Sequence, residues 1–171
     1  MIAQQLAFEH PTLVRRIILL GTGPRGGEGM AFKELSVSEA EKNPDRFLLT
    51  AFFAPTNTSQ AAGKALLQRF KIRKEDRDPP VSEKTGVAQL KAIREWGMVP
   101  LNDRYSTLKN IKHPILIIHG NQDIVVSPIN AFILAERLPN AQLIVYPDSS
   151  HGAQYQYAEL FLKHAKLFLS A

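Results

Sequence analysis

The chain has 171 residues, a formal net charge of +5, 44% hydrophobic and 22% charged residues, and no cysteine, which predicts one globular domain with a sizeable core. The missing cysteine excludes disulfides, cysteine metal sites and a cysteine nucleophile, and fits a cytoplasmic setting. The small positive excess reads as a solvated basic surface rather than as nucleic-acid or membrane binding; no segment reaches the ~18 apolar residues of a membrane span, and the start lacks the basic region of a signal peptide.

In chain order, Ile2, Ala3, Leu6 and Ala7 recur at helical spacing, and His10-Pro11 ends that helix because the residue before proline is pushed out of the helical region. The helix starts at residue 1 with no capping residue, either because it frays or because something precedes it. Ile17 to Leu20, stopped by Gly21-Thr22-Gly23-Pro24, is a short apolar run and predicts a strand buried on both faces. Residues 25–108 hold MAFKELSVSEAEKN, PDRFLLTAFFAP, SQAAGKALLQRFKIRK and VAQLKAIREWG, all helical in period. They predict a helical insertion, a lid over the working edge of the sheet. Within it RFKIRKEDRD has mixed sign and reads as a solvated stretch, without the one-sided charge of a nucleic-acid binder. Ile115 to Ile118 predicts a second strand. Ser127 and Pro128 suit the start of a helix whose face is Ala131, Leu134, Ala135 and Leu138. Gln142 to Tyr146 predicts a third strand, and Tyr157, Leu160, Phe161, His164 and Phe168 mark a closing helix. Strands separated by helices predict an α/β domain over residues 1–171, with a parallel sheet of about three strands, right-handed crossovers and flanking helices.

In such a sheet functional groups gather beyond the carboxyl ends of the strands. Asp123, in HGNQDIVVSP, follows the second strand, and His151, in VYPDSSHG, follows the third. The 28 residues between them make one crossover unit. Neighbouring strands therefore bring both loops to one edge, where Asp and His match the orienting pair of a nucleophilic hydrolase. Taken singly, Asp123 also reads as a turn-capping residue and His151 as a loop histidine. Asp148 is a rival acid, but it sits close to His151 along the chain and suits a turn. His119, at the end of a buried strand, reads as structural. No cofactor is called for, and no cluster has metal-ligand spacing.

At these residues the chain resembles a family. PILIIHGNQDIVVSP and LPNAQLIVYPDSSHG resemble the acid and histidine segments of the α/β-hydrolase fold. MIAQQLAFEHPTLVRRIILLGTGP resembles the helix after that family's nucleophile elbow and the strand that follows. The likeness covers most of the chain, least diagnostically in the lid, and is closest to bacterial lid-bearing ester and lactone hydrolases and the related non-haem haloperoxidases. It implies Asp123 as triad acid and His151 as general base. Phe47, Phe52, Phe53 and Trp96 would then be apolar walls of the pocket, or equally ordinary lid core. The family's G-x-S-x-G elbow is absent, and Ser127, Ser149 and Ser150 lack its setting. The resemblance implies that the chain begins just past the elbow, lacking the nucleophile and both oxyanion-hole donors. The complete protein is then expected to hydrolyse a small carboxylic ester or lactone by a Ser-His-Asp mechanism, and this chain alone to be inactive. The identity of the nucleophile, Ser or Asp, stays open at this stage. A different class stands beside it: a non-catalytic α/β module that binds a partner, or a second copy, through an open sheet edge.

Overall fold

The computed structural model of the protein describes residues 1–30 and 43–171. Three strands, β1 (Ile17–Leu20), β2 (Ile115–Gly120) and β3 (Ala141–Tyr146), form a parallel sheet in the order β1-β2-β3. The register pairs Ile17 with Ile115 and Leu20 with Ile118 on one side of β2; on the other, Ile115 pairs with Ala141 and Gly120 with Tyr146. The helices are α1 (Ile2–Glu9), α2 (Pro44–Phe52), α3 (Asn57–Phe70), α4 (Glu83–Gly97), α5 (Ile129–Arg137), the short α6 (Ala153–Gln156) and α7 (Ala158–Ser170). The helix expected in MAFKELSVSEAEKN lies, except for its first and last residues, outside the described residues.

The central strand explains the core. β2 is buried along its whole length, and its side chains alternate between two faces. Ile115 and Ile117, with Ile17 and Leu19 of β1, pack on Ala131, Leu134 and Leu138 of the α5 region and on Ala7 of α1. Leu116 and Ile118 face the other way, toward Tyr146, Ala153 and Phe168. Each such aliphatic side chain contributes roughly 1.5–3 kcal/mol by leaving water. A sheet covered on both faces needs helices before and after each strand, which is the rhythm of the sequence.

Several local expectations are corrected. β1 is buried at Ile17 and Leu19 but only partly at Ile18 and Leu20, and β3 is mostly half-buried, because each has a strand on one side only. α1 buries Gln4 and Ala7, whereas Ile2 is 84% exposed. The Gln4 amide donates to Gly23 O (3.1 Å), and residues two apart cannot share a helix face, so seating Gln4 turns Ile2 outward. Ser127 makes no side-chain cap; its carbonyl instead accepts from the Asn130 backbone and side-chain nitrogens. Leu160 of the closing helix is exposed, while Ala165 and Phe168 are buried.

No helix among the described residues is long and apolar enough to cross a membrane. Leu134 has no solvent exposure and touches both the sheet and its own helix neighbours. Leu134→Ala is expected to lower unfolding stability in a urea titration by about 2–5 kcal/mol, with an unchanged m-value.

Candidate active site

The parallel pairing of β2 and β3 delivers both candidate residues to one place. The ladder runs past the strand ends: Asn121 N donates to Tyr146 O, and Gln122 N to Ser149 O. The loop after β2 is thereby laced to the loop after β3. Gly120 sits at the crossing point; a Cβ there would lie 2.2 Å from Ser150 O, so no other residue fits. Asp123 follows directly, and its Oδ1 accepts from Val125 N and Val126 N, both at 2.8 Å. Its other oxygen, Oδ2, lies 2.9 Å from His151 Nδ1. Asp123 thus caps the turn with one carboxylate oxygen and contacts His151 with the other.

The Asp123 side chain has no solvent exposure, and that of His151 retains 23%. Burial by itself pushes the Asp123 carboxyl up. The contacts from His119 and His151, the charge of His151 and the Val126 N–H together outweigh it and hold the carboxyl well below the usual range. A carboxylate that accepts from Nδ1 fixes the proton there and leaves Nε2 of His151 as the nitrogen available for proton transfer.

β1 meets this pair from the far side. Gly21, in the left-handed region at φ +49°, would place a Cβ 3.0 Å from His151 Nδ1 and 3.5 Å from Asp123 Oδ2. Both the conformation and the close approach call for glycine. A cavity of about 390 Å³ opens here, lined by His151, Leu20, Gly21, Thr22, Val125 and Val126 of the sheet edge, with Phe47, Phe52 and Ile93 from the helical segment. Phe53 and Trp96 are not in its lining. Phe53 is buried against Gly63 of α3, and Trp96 donates to Gly23 O at 3.3 Å.

The loop carrying His151 is tied to α2. The last carbonyls of a helix have no intrahelical partner; here Ala51 O accepts from Ser150 Oγ (3.0 Å) and Phe52 O from Gly152 N (2.7 Å). The Phe52 ring meets the His151 ring edge-on at 5.2 Å. Thr56, which caps α3, also donates to Asp148 Oδ1 (2.7 Å), so the rival acid is engaged by α3 while Asp123 holds His151. Ser149 is buried, with its hydroxyl donated to Tyr146 O. Among the described residues no group of three or more metal-binding side chains comes together.

His119, which the sequence presents as a structural residue at the end of β2, belongs to this site. It is buried against the same carboxylate, with Nε2 3.2 Å from Asp123 Oδ2. Its place four residues before Asp123 was a signal, but one that needs the turn to be folded before it can be read.

Because the Asp123 carboxyl is depressed, its contribution to stability is present above the unfolded value of about 3.9 and is lost as pH falls below it. Thermal melts from pH 7 down to pH 3 are expected to show the wild type losing stability more steeply than Asp123→Asn, which starts lower. Equal acid slopes would count against the depressed carboxyl.

A family profile described as alpha/beta hydrolase fold matches residues 1–157. The chain is 26% identical over 170 residues to a 2-hydroxymuconate semialdehyde hydrolase of Pseudomonas putida, covering 99% of this chain and 58% of that protein. It is 27% identical over 176 residues to a pimeloyl-acyl-carrier-protein methyl ester esterase of Nitrosospira multiformis, covering 98% and 64%. Among solved structures, an alpha/beta hydrolase fold protein from Chitinophaga pinensis superposes with a TM-score of 0.91 at 32% identity, over 100% of this chain and 62% of that one. The chain thus spans about three-fifths of the length of these relatives, with 58% to 64% coverage. With a parallel sheet that carries Asp123 and His151 at its carboxyl edge and a profile match over nearly its whole length, the chain belongs to the α/β-hydrolase fold family.

Proposed function

We propose that Asp123 and His151 are the acid and base of a hydrolase that cleaves a small carboxylic ester or lactone through an acyl-enzyme, with a serine nucleophile outside these 171 residues. The observation that carries this reading is the 2.9 Å contact of His151 Nδ1 with Asp123 Oδ2, beside an apolar cavity at the carboxyl edge of the sheet. The relatives named as a hydrolase and a methyl ester esterase support the reaction class.

In the first half-reaction His151 Nε2 takes the proton of the attacking hydroxyl, and the Asp123 carboxylate stabilises the imidazolium that forms. The tetrahedral centre collapses as the same proton passes to the leaving alcohol. Water then attacks the acyl group, with His151 again as base, and returns the nucleophile as a free hydroxyl. Residues 25–108 act as the lid, with Phe47, Phe52 and Ile93 as apolar walls around the acyl group. The 171 residues contain no G-x-S-x-G, and the Ser149 and Ser150 hydroxyls beside His151 are buried on backbone carbonyls, which supports a nucleophile supplied from outside them. The absence of cysteine supports a cytoplasmic setting.

A chimera tests this directly, joining the chain to the part of the Chitinophaga pinensis protein that it does not span. The chimera is expected to hydrolyse p-nitrophenyl esters. His151→Ala should lower its kcat by about 10⁶ and Asp123→Asn by about 10⁴. The 171-residue chain is expected to show no turnover, and His151-dependent esterase activity from it would refute the external nucleophile.

A further inference from the structure

A third side chain reaches the carboxylate. His119, the next-to-last residue of β2, has a side chain with no solvent exposure. Its Nε2 lies 2.8 Å from Val126 O and 3.2 Å from Asp123 Oδ2. A carbonyl oxygen only accepts, so Nε2 carries the proton. That N–H is aimed at Val126 O, and Asp123 Oδ2 takes the second, longer branch of a shared bond. Nδ1 is buried with no partner among the described residues. A bare ring nitrogen tolerates that position better than an N–H stranded without an acceptor. The ring is thus held as the Nε2–H tautomer, with one proton serving two acceptors.

We propose that His119 is a positioning residue for the Asp123–His151 pair. The Val125 and Val126 N–H groups fix Oδ1 of Asp123 from one side. On the other side Oδ2 has only His151 and His119 to hold it, and a rotation about the Cβ–Cγ bond would carry both oxygens off their partners. The His119 N–H opposes that rotation from inside the sheet, because it sits on the oxygen that His151 uses. The same N–H holds Val126 O, so the turn from Asp123 to Val126 is closed through its own backbone on one side and through β2 on the other. A group that merely filled space at position 119 would leave Val126 O unpaired and Oδ2 with a single donor. Phenylalanine keeps a planar ring, somewhat larger than the imidazole, and has no donor. Glutamine carries an N–H at about the distance of Nε2 from the backbone.

The proposal takes its catalytic meaning from the function proposed above, but its geometry stands apart from it, and so does its test. In the purified 171-residue chain labelled with ¹⁵N-histidine, the proton on His151 Nδ1 gives a low-field resonance whose exchange with water reports how firmly Asp123 holds it. In His119→Phe that exchange is expected to accelerate about five- to tenfold, and in His119→Gln to stay within about twofold of wild type. An unchanged rate in His119→Phe, with a native circular-dichroism spectrum, would overturn the proposal. Should His119→Phe not fold, the wild-type spectrum decides: a bare Nε2 on His119, or a proton on its Nδ1 alone, overturns the proposal, and the Nε2–H tautomer supports it. Turnover enters none of these readings, so the loss of this proposal and the loss of the hydrolase reading are separately visible.

Discussion

A carboxylate shut away from water remains an anion only where hydrogen-bond donors replace the water it has lost. Asp123 meets that constraint with the N–H groups of Val125 and Val126 on one oxygen and the rings of His151 and His119 on the other. The rest of the site is arranged around it. The turn after β2 exists because the carboxylate ties down two successive amides. The loops after β2 and β3 stay together because Asn121 donates to Tyr146 O at the end of β3 and Gln122 to Ser149 O beyond it. Gly21 and Gly120 are glycines because the pair and its loops leave no room for a Cβ. Removing the carboxylate would leave two amides and two imidazoles to find other partners inside a packed edge.

The pair was legible in the sequence because parallel strands obey a simple rule. Two apolar runs separated by one helix bring the loops that follow them to the same edge, and Asp123 and His151 stand at equivalent places after those runs. The sheet itself followed from Ile17–Leu20, Ile115–Ile118 and Gln142–Tyr146 for the same reason. What the sequence concealed depends on three-dimensional closure. His119 reads as one more buried residue of β2 until the turn brings Asp123 back over it. Ile2 and Leu6 read as the inner face of α1 until Gln4 is seen on Gly23 O. Phe53 and Trp96 carry the same aromatic signal as Phe47 and Phe52, and only packing separates the ring in the cavity from the ring in the helical core.

The junction between α2 and the His151 loop gives the cavity its other wall. A helix that ends at Phe52 leaves carbonyls in need of donors, and Ser150 and Gly152 supply them from either side of His151. The edge-on contact of Phe52 with His151 belongs to the same junction. A displacement of α2 therefore breaks hydrogen bonds within one residue of the proposed base, so the position of the wall and the position of His151 are set together.

The family assignment and the activity rest on different footings. The family follows from the sheet, the site geometry and a profile match over residues 1–157. The activity is the proposal, in which a nucleophile is brought to His151 from elsewhere, and the commitment of the adjacent serines to carbonyls supports it. Fluorophosphonate labelling of the chimera, followed by peptide mapping, tests that claim most directly, because the reagent marks a serine made nucleophilic by a neighbouring base. The account predicts one labelled serine, outside these 171 residues, and loss of the label in His151→Ala. Label on Ser149 or Ser150, or label that persists without His151, would contradict it.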